Sequence, residues 1–455
     1  MQIKVPSNVK LIIEELNKSG FQAYAVGGCV RDSILGRVPG DWDITTSAKP
    51  MQVKEIFSRT VDTGIEHGTV TVMIGKEGYE VTTYRIDGEY EDNRHPKSVE
   101  FTSNLVEDLK RRDFTINAMA YNDEEGIVDV FEGLKDIERK VIRCVGTPQH
   151  RFDEDALRIL RAIRFAGQLG FHIEDETREA IIEKAPNLSS ISAERIRVEL
   201  TKLLISKGPD RLIMGYETGI TKVVLPEFDL MLETKQNNHH HKYDVGRHSI
   251  HSVEEISRMV KEADIDSKHH VILCWTMLLH DVGKPVTKTV DEQGIDHFHG
   301  HQIESEKIAK KVLKRLKFDN YTIDMVCRLI RWHDKRYELN EVAMRQTASQ
   351  IGKDIMDLLF MVQEADVLAQ SEDLQEEKLK VLEEAKIIYK GILERKECLT
   401  LKELSVNGGD LIALGLKPGK QLGEILNELL QRVLVDPELN KKEVLLSLVD
   451  ENKLS

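Results

Sequence analysis

Over its first 145 residues the chain alternates short β-branched runs with Gly and Asp turns. The runs are QAYAVGG (22–28), DWDITT (41–46), GTVTVMIG (68–75), YEVTTYRI (79–86), INAMAYN (116–122) and GIVDVF (126–131). Such segments, bounded by turn formers, predict strands of a mixed sheet. From about Phe152 the period lengthens. In EDALRILRAIRFAGQLGF (154–171) and SAERIRVELTKLLIS (192–206) apolar residues recur at three- and four-residue steps, the pattern of amphipathic helices. That pattern continues almost to the end, interrupted by a polar stretch, LETKQNNHHHKYDVG (232–246), and a Gly-rich joint, SVNGGDLIALGLKPGK (405–420). No repeat of fixed period is present. The predicted class is α+β, with a mixed-sheet head over 1–145, an all-α neck over 146–235, a helical body over 236–400 and a helical tail over 401–455.

Composition narrows the functional classes. A length of 455 residues corresponds to about three domains. With 40% apolar and 31% charged residues, the chain is of the soluble globular kind, not collagen-like, low-complexity or wholly disordered. The longest largely apolar run, 271–279, is well short of the ~20 residues a membrane helix needs. The N-terminal MQIKVPSNVKLIIEELNKSG lacks the apolar core and cleavage site of a signal peptide, so a cytoplasmic location is expected. Five scattered cysteines without a C-x-x-C pair predict reduced, buried thiols, not a disulfide framework or a thiolate zinc site. The net charge of −14 confines any polyanion-binding surface to a local patch. One such patch spans 139–164, where seven Arg or Lys face three acids.

The first candidate chemistry lies in AVGGCVRDSILGRVPGDWDITT (25–46). Gly27 and Gly28 end an apolar strand and open a helix-like run, which leaves backbone N–H groups where a phosphate can sit. Asp41 and Asp43 stand at i and i+2 on an expected strand, so both carboxylates share one face. Like charges that close are costly unless a cation holds them. Glu80, at the start of EVTTYRI, supplies a third hard oxygen ligand if its strand is a neighbour, a set suited to Mg²⁺. Carboxylates around magnesium serve in-line nucleotidyl transfer by activating the attacking hydroxyl and clamping the leaving pyrophosphate. Arg31 is then placed to neutralise a triphosphate.

The segments GGCVRD (27–32), DWD (41–43), RRDFTINAMA (111–120) and EDALRILRAIR (154–164) occur in order and resemble the successive motifs of class II CCA-adding tRNA nucleotidyltransferases. These belong to the polymerase-β superfamily, together with bacterial poly(A) polymerases. The resemblance implies a nucleotidyltransferase head and template-independent, Mg²⁺-dependent addition of C, C and A to tRNA 3′ ends from CTP and ATP. The implied partner is tRNA, held by its acceptor and T arms, with neither DNA nor a membrane involved.

Asp155 and Arg158, at i and i+3 of an expected helix, offer an acceptor beside a donor fork. That pairing complements cytosine and adenine, whereas uracil and guanine present the reverse pattern. A mismatch leaves polar groups unpaired, at about 1–3 kcal/mol each. Arg161 and Arg164 continue the face and suit a triphosphate and an RNA 3′ end. By resemblance Arg112 binds the nucleotide, and RIDGEYEDNRHPKSVEF (85–101) is the loop that switches from C to A addition; Asp113 and Asn117 read equally as contacts to the ribose or as a capped helix start. Ala156 stands where poly(A) polymerases typically carry Pro, which makes poly(A) synthesis the weaker alternative.

Twelve of the sixteen histidines lie between His239 and His333. The segments YDVGRHSIHSV, WTMLLHDVGKP, HFHGHQIESEKI, IRWHD and ADVLAQ resemble an HD phosphohydrolase domain. His248, His280, Asp281 and Asp366 match its ligand order, and His301 and His333 complete a second position. Imidazole with carboxylate suits Mn²⁺, Ni²⁺, Fe²⁺ or Mg²⁺. His239, His240 and His241 are expected to be loop residues and not ligands. Two rival readings follow: a metal-dependent phosphohydrolase whose head only holds RNA, or a catalytically silent RNA-binding protein.

Overall fold

The computed structural model describes residues 2–88, 99–237, 243–371 and 375–452. Contacts divide the chain into two compact units, Met1–Pro226 and Glu227–Ser455. The expected switching loop falls largely on residues 89–98, and His239, His240 and His241 on 238–242, so both lie outside the described residues.

Among the described residues the first unit carries eleven strands: β1 (Ala23–Val26), β2 (Ile44–Thr46), β3 (Thr60–Gly64), β4 (Thr69–Ile74), β5 (Glu77–Thr83), β6 (Arg85–Asp87), β7 (Val99–Phe101), β8 (Ala120–Asn122), β9 (Gly126–Val128), and β10 (Val141–Ile142) paired with β11 (His172–Ile173). Seven of them form one sheet in the order β3-β4-β5-β2-β1-β8-β9, while β6 and β7 pair separately. Each β-branched run named above contributes a strand. Two features depart from the sequence pattern: the ends of the expected loop 85–101 pair as the antiparallel strands β6 and β7, and β3, which is largely exposed, pairs only with β4 at the sheet edge. An edge strand needs one backbone partner and no buried face, so apolar alternation does not announce it. On one side the sheet packs Tyr24, Val26, Tyr84, Leu105, Leu109 and Ala120 into a core cluster.

Topology places the site. Strand β1 is antiparallel to both β2, with Ala25 opposite Ile44, and β8, with Ala25 opposite Tyr121. The C-terminal end of β1, carrying Gly27, therefore meets the entries of β2 and β8, preceded by Asp41–Asp43 and by Asn117. Strand β5 runs parallel to β2 with Val81 opposite Ile44, which sets Glu80 one step back beside Asp43. Asp41 and Asp43 themselves precede the strand instead of lying on it.

The expected continuous helix from 154 is broken. Helix Pro148–Glu154 ends at Asp155, whose backbone is extended (φ −144°, ψ 102°), and helix Leu157–Leu169 follows. The Asp155 Oδ1 accepts the Leu157 N–H at 3.0 Å. A short carboxylate that caps a helix start competes with helix continuation, and here the cap prevails over the apolar periodicity. Gly170, left-handed at φ 70°, ends the second helix.

In the second unit, helices Val245–Glu262, Ser267–Leu279, His301–Arg315, Asn320–Trp332 and Met356–Leu368 form the body. Helix Ser267–Leu279 is central, with its residues from Ile272 to Leu279 all buried, including fully enclosed Trp275. Asp244, Asp266 and Asp319 cap three of these helices by accepting N–H groups of their first turns. The Gly-rich joint contains a short helix, Gly408–Ala413, capped by Asn407. Among the described residues no helix is long and apolar enough to cross a membrane.

Candidate functional site

In the first unit a cleft of about 430 Å³ is lined by Gly27, Gly28, Arg31, Asp43 and the sequence from Arg111 to Asp113, with Asn117, Asp155, Arg158, Arg161, Arg164 and Arg195. Most expected head and neck residues thus meet in one place. Gly27 adopts φ +81°, a left-handed backbone that favours glycine, and a Cβ there would lie 2.8 Å from Arg112 Nη1 and displace that guanidinium. Its N–H is already spent on the Met119 carbonyl, at 3.0 Å, which corrects the expectation that this amide is open to a phosphate.

Asp41 and Asp43 are exposed, and neither carboxylate has a hydrogen bond or ion pair among the described residues. Desolvation and the Asp41 charge raise the Asp43 pKa above the usual carboxylate value, against the pull of Arg112. Two converging acids without a counterion form a donor set that fits a hard divalent cation. Glu80 differs from expectation. It sits on the neighbouring strand at the right height but is exposed, opposite Thr71 of β4. Its carboxylate does not close with those of Asp41 and Asp43 into a trio within 4.8 Å.

The arginines are held by a network that local sequence does not disclose. Arg31 is buried and donates to Asp32 and to Asn117 Oδ1. Arg161 donates to Asp113 Oδ2 at 2.7 Å, and Asp113 also accepts from Asn117 and from the Phe114 N–H. Burial pushes the Asp113 pKa up, but Arg161, Asn117 and Arg158 outweigh it and hold it at about 2. Arg158 donates to Glu154 and to the carbonyls of Arg151 and Arg111. Arg164 is ion-paired with Glu199. The guanidiniums of Arg31, Arg161 and Arg164 lie 4.9, 5.3 and 3.9 Å from the centre of the Phe165 ring, an aromatic platform that spreads the cationic cluster over a π-face. Phe165, Glu199 and Arg195 were not singled out from the sequence. Their partners lie far off along the chain, and the helical period alone marks them only as face or core positions.

Arg164 and Glu199 are both nearly buried, with side-chain exposures of 8% and 5%. Glu199→Ala would leave a buried guanidinium without its counterion and is expected to cost about 3–5 kcal/mol. Chemical unfolding measures it; a loss under about 1 kcal/mol would show that Gln168 and Phe165 hold Arg164 unaided.

In the second unit, six side chains meet where helix ends converge. His248 lies in the first turn of Val245–Glu262, while His280 and Asp281 follow Ser267–Leu279. His301 opens its helix, His333 caps Asn320–Trp332, and Asp366 lies near the end of Met356–Leu368. The Nδ1 atoms of His280, His301 and His333 face the carbonyls of Met277, Phe298 and Ile330 at 2.8, 2.9 and 2.7 Å. A carbonyl only accepts, so Nδ1 carries the proton and each Nε2 turns inward with a lone pair. These Nε2 atoms meet in pairs, His248 with His280 at 3.3 Å and His301 with His333 at 3.2 Å. Facing lone pairs repel unless a cation lies between them.

Asp281 joins the two groups. Its Oδ2 is 3.2 Å from His280 Nε2, its Oδ1 is 3.3 Å from His301 Nε2, and both triads, His248–His280–Asp281 and Asp281–His301–His333, have metal-ligand spacing. Asp366 approaches His248 at 2.8 Å. Burial opposes charge at His280, while the carboxylates of Asp281 and Asp366 pull its pKa upward, the same negative field that would hold a metal cation. The donor set fits one ion or two. Beside it a cleft of about 550 Å³ is lined by His333, Asp366, Arg336, Tyr337, Gln363 and Lys378, among others.

Residues 23–143 match the poly A polymerase head domain family, 170–232 the "probable RNA and SrmB-binding site of polymerase A", and 298–449 the tRNA nucleotidyltransferase domain 2 family. The last of these spans His301, His333 and Asp366, and the HD resemblance rests on the cluster itself. The CCA-adding enzyme of Ligilactobacillus salivarius is 36% identical over 437 residues, 96% of this chain and 94% of that protein. Among solved structures, the Bacillus stearothermophilus CCA-adding enzyme in complex with CTP superposes with a TM-score of 0.74 at 30% identity, covering 99% of each chain. The Thermotoga maritima CCA-adding enzyme complexed with tRNA shares the fold, with a TM-score of 0.59 at 22% identity over 99% of this chain and 100% of that one.

Proposed function

This chain belongs to the family of CCA-adding enzymes, and we propose that it adds C, C and A to the 3′ end of tRNA from CTP and ATP without a nucleic-acid template. The observation that carries the reading is the shared cleft, in which Asp43, Arg112, Asp155, Arg158, Arg161 and Arg164 face one volume. The head (1–145) and neck (146–235) supply this site, and the activity is placed in the cytoplasm.

Asp41 and Asp43 hold the divalent metal ion on which nucleotidyl transfer depends. Mg²⁺ so held would supply Lewis-acid activation of the 3′ hydroxyl and charge neutralisation at the leaving pyrophosphate. Glu80, on the adjacent strand, stands outside the ligand spacing of that pair and would join the catalytic set only by a side-chain movement toward it. Arg31, Arg161 and Arg164 set positive charge along the cleft wall for the triphosphate, and Arg112 lies beside the Gly27–Gly28 turn. Asp155 accepts the exocyclic amine of cytosine or adenine, and Arg158 donates to the adjacent ring nitrogen. Glu154 and the two carbonyls that hold Arg158 orient its fork.

Selection is tested with Arg158→Ala. One fork serves both correct bases, so use of CTP and ATP is expected to fall together while relative incorporation of UTP and GTP rises by about tenfold or more, the consequence of losing ~1–3 kcal/mol of discrimination. Incorporation of each labelled nucleotide into tRNA lacking its CCA end measures this. Loss of only one of the two correct nucleotides would sink the shared-reader assignment.

The second unit supports an additional reading. His248, His280, Asp281 and Asp366, with His301 and His333, would hold Mn²⁺, Ni²⁺ or Fe²⁺, Asp281 being common to both triads. Such an ion would supply Lewis-acid polarisation of a phosphate ester and a nucleophilic bound water. The convergence of inward Nε2 lone pairs favours this reading, with nucleotides or cyclic phosphate ends as substrates. Lys284 Nζ, 2.7 Å from Asp281 Oδ2, holds the bridging carboxylate in place.

A further inference from the structure

Asp155 occupies a break between two helices: its N–H still donates to the Arg151 carbonyl at 3.4 Å and its carbonyl accepts the Arg158 N–H at 3.0 Å, but its backbone is extended. The orientation of its carboxylate is set by what the side chain touches. One oxygen, Oδ1, accepts the Leu157 N–H at 3.0 Å. The other, Oδ2, accepts Arg195 Nη2 at 2.7 Å. Arg195 reaches it from the first turn of helix Ala193–Leu204 and lines the same cleft. The other end of its guanidinium, Nη1, is buried with no hydrogen-bond partner among the described residues. Two donors from different elements thus clamp the carboxylate plane, and each oxygen keeps a lone pair for a further donor.

We propose that Arg195 is a positioning residue for nucleotide selection: its guanidinium fixes the Asp155 carboxylate so that the cleft admits bases presenting an exocyclic amine and rejects those presenting a carbonyl oxygen. This rests on the reading of Asp155 as the base acceptor. Rejection by an acceptor works only while the acceptor cannot turn away. A carboxylate free to rotate meets a carbonyl oxygen without being forced against it, and the penalty on UTP and GTP falls. The unpartnered Nη1 gives Arg195 a separate part, in binding and not in selection: a buried donor without a partner is costly, and a ribose or phosphate oxygen brought into the cleft relieves that cost whichever base it carries. Arg195 therefore acts on the binding of correct nucleotides and on the ratio of correct to wrong ones, without touching the transferred phosphate.

The test compares Arg195→Ala, Arg195→Lys, Asp155→Asn and the Asp155→Asn/Arg195→Ala double variant of the full chain. Incorporation of CTP, ATP, UTP and GTP into 3′-truncated tRNA is measured for each, with melting temperatures as a check on folding. For Arg195→Ala we expect KM for CTP and ATP to rise with kcat largely kept, and relative use of UTP and GTP to increase about tenfold. Arg195→Lys, which restores the ion pair but not the planar fork, should fall between wild type and Ala. In the double variant the Arg195 change should add nothing to the selectivity already lost with Asp155→Asn. Equal loss for all four nucleotides, or an additive effect in the double variant, overturns the proposal. If Asp155→Asn relaxes selectivity and the Arg195 variants do not, Arg195 alone is misassigned. If Asp155→Asn itself leaves selectivity unchanged, the base-reading role of Asp155 fails and this proposal with it.

Discussion

Asp43→Ala is expected to reduce nucleotide addition by at least about a thousandfold, equivalent to ~4 kcal/mol of transition-state stabilisation, and to leave the fold intact. Asp41→Ala should behave alike. Both halves of the expectation come from the same observation. The two carboxylates lie on an exposed irregular segment and have no hydrogen-bond or ion-pair partner among the described residues. Their removal breaks no side-chain contact and relieves the desolvation and the Asp41 repulsion that together raise the Asp43 pKa, so the melting temperature should hold or rise slightly. Their removal also deletes a ligand for the divalent ion. Incorporation of labelled CTP with Mg²⁺ present, read beside a thermal melt, decides it. Wild-type rates in either variant would overturn the metal-ligand role, and unfolding would show instead that the acids stabilise the entry to β2.

The largest effect expected in the second unit follows from the central position of Asp281. Because it belongs to both ligand triads, Asp281→Asn, which keeps the side-chain volume, should abolish metal retention at both positions at once. His301→Ala should affect only one. Metal content per chain after loading with Mn²⁺ or Ni²⁺ and desalting reads this directly. Any metal-dependent phosphate release from nucleotides or 2′,3′-cyclic phosphate ends should vanish with Asp281→Asn, while CCA addition continues, because the two sites have no ligand residue in common. Full metal content in the Asn variant would refute the bridge. Loss of CCA addition in a folded variant would refute independence, and absence of phosphate release from metal-loaded wild type would reduce the cluster to a structural role.

Several features depend on short-range physics, and the linear pattern was enough to find them. The β-branched runs became strands because a half-buried pleated surface selects such residues with turn formers at their ends. The four ordered head and neck motifs were recognisable because their glycines, acids and arginines stand at fixed local spacing. The six side chains that meet in the second unit were legible likewise, since each sits at or near a helix end beside a residue pattern that reveals that end. Tertiary structure decided matters in which distant segments compete. It broke the helix at Asp155, because a local carboxylate cap outweighs one turn of apolar periodicity. It used the Gly27 amide on Met119, left Glu80 exposed beside the acid pair, and added β3 as an edge strand whose polar residues carry no periodic signal. It also tied Arg161 to Asp113, Arg164 to Glu199 and Asp155 to Arg195 across separations of 48, 35 and 40 residues. Helical period says which face an arginine occupies. Which carboxylate it meets depends on the packing of elements far apart in the chain, and in this cleft that pairing determines which groups remain to bind a nucleotide.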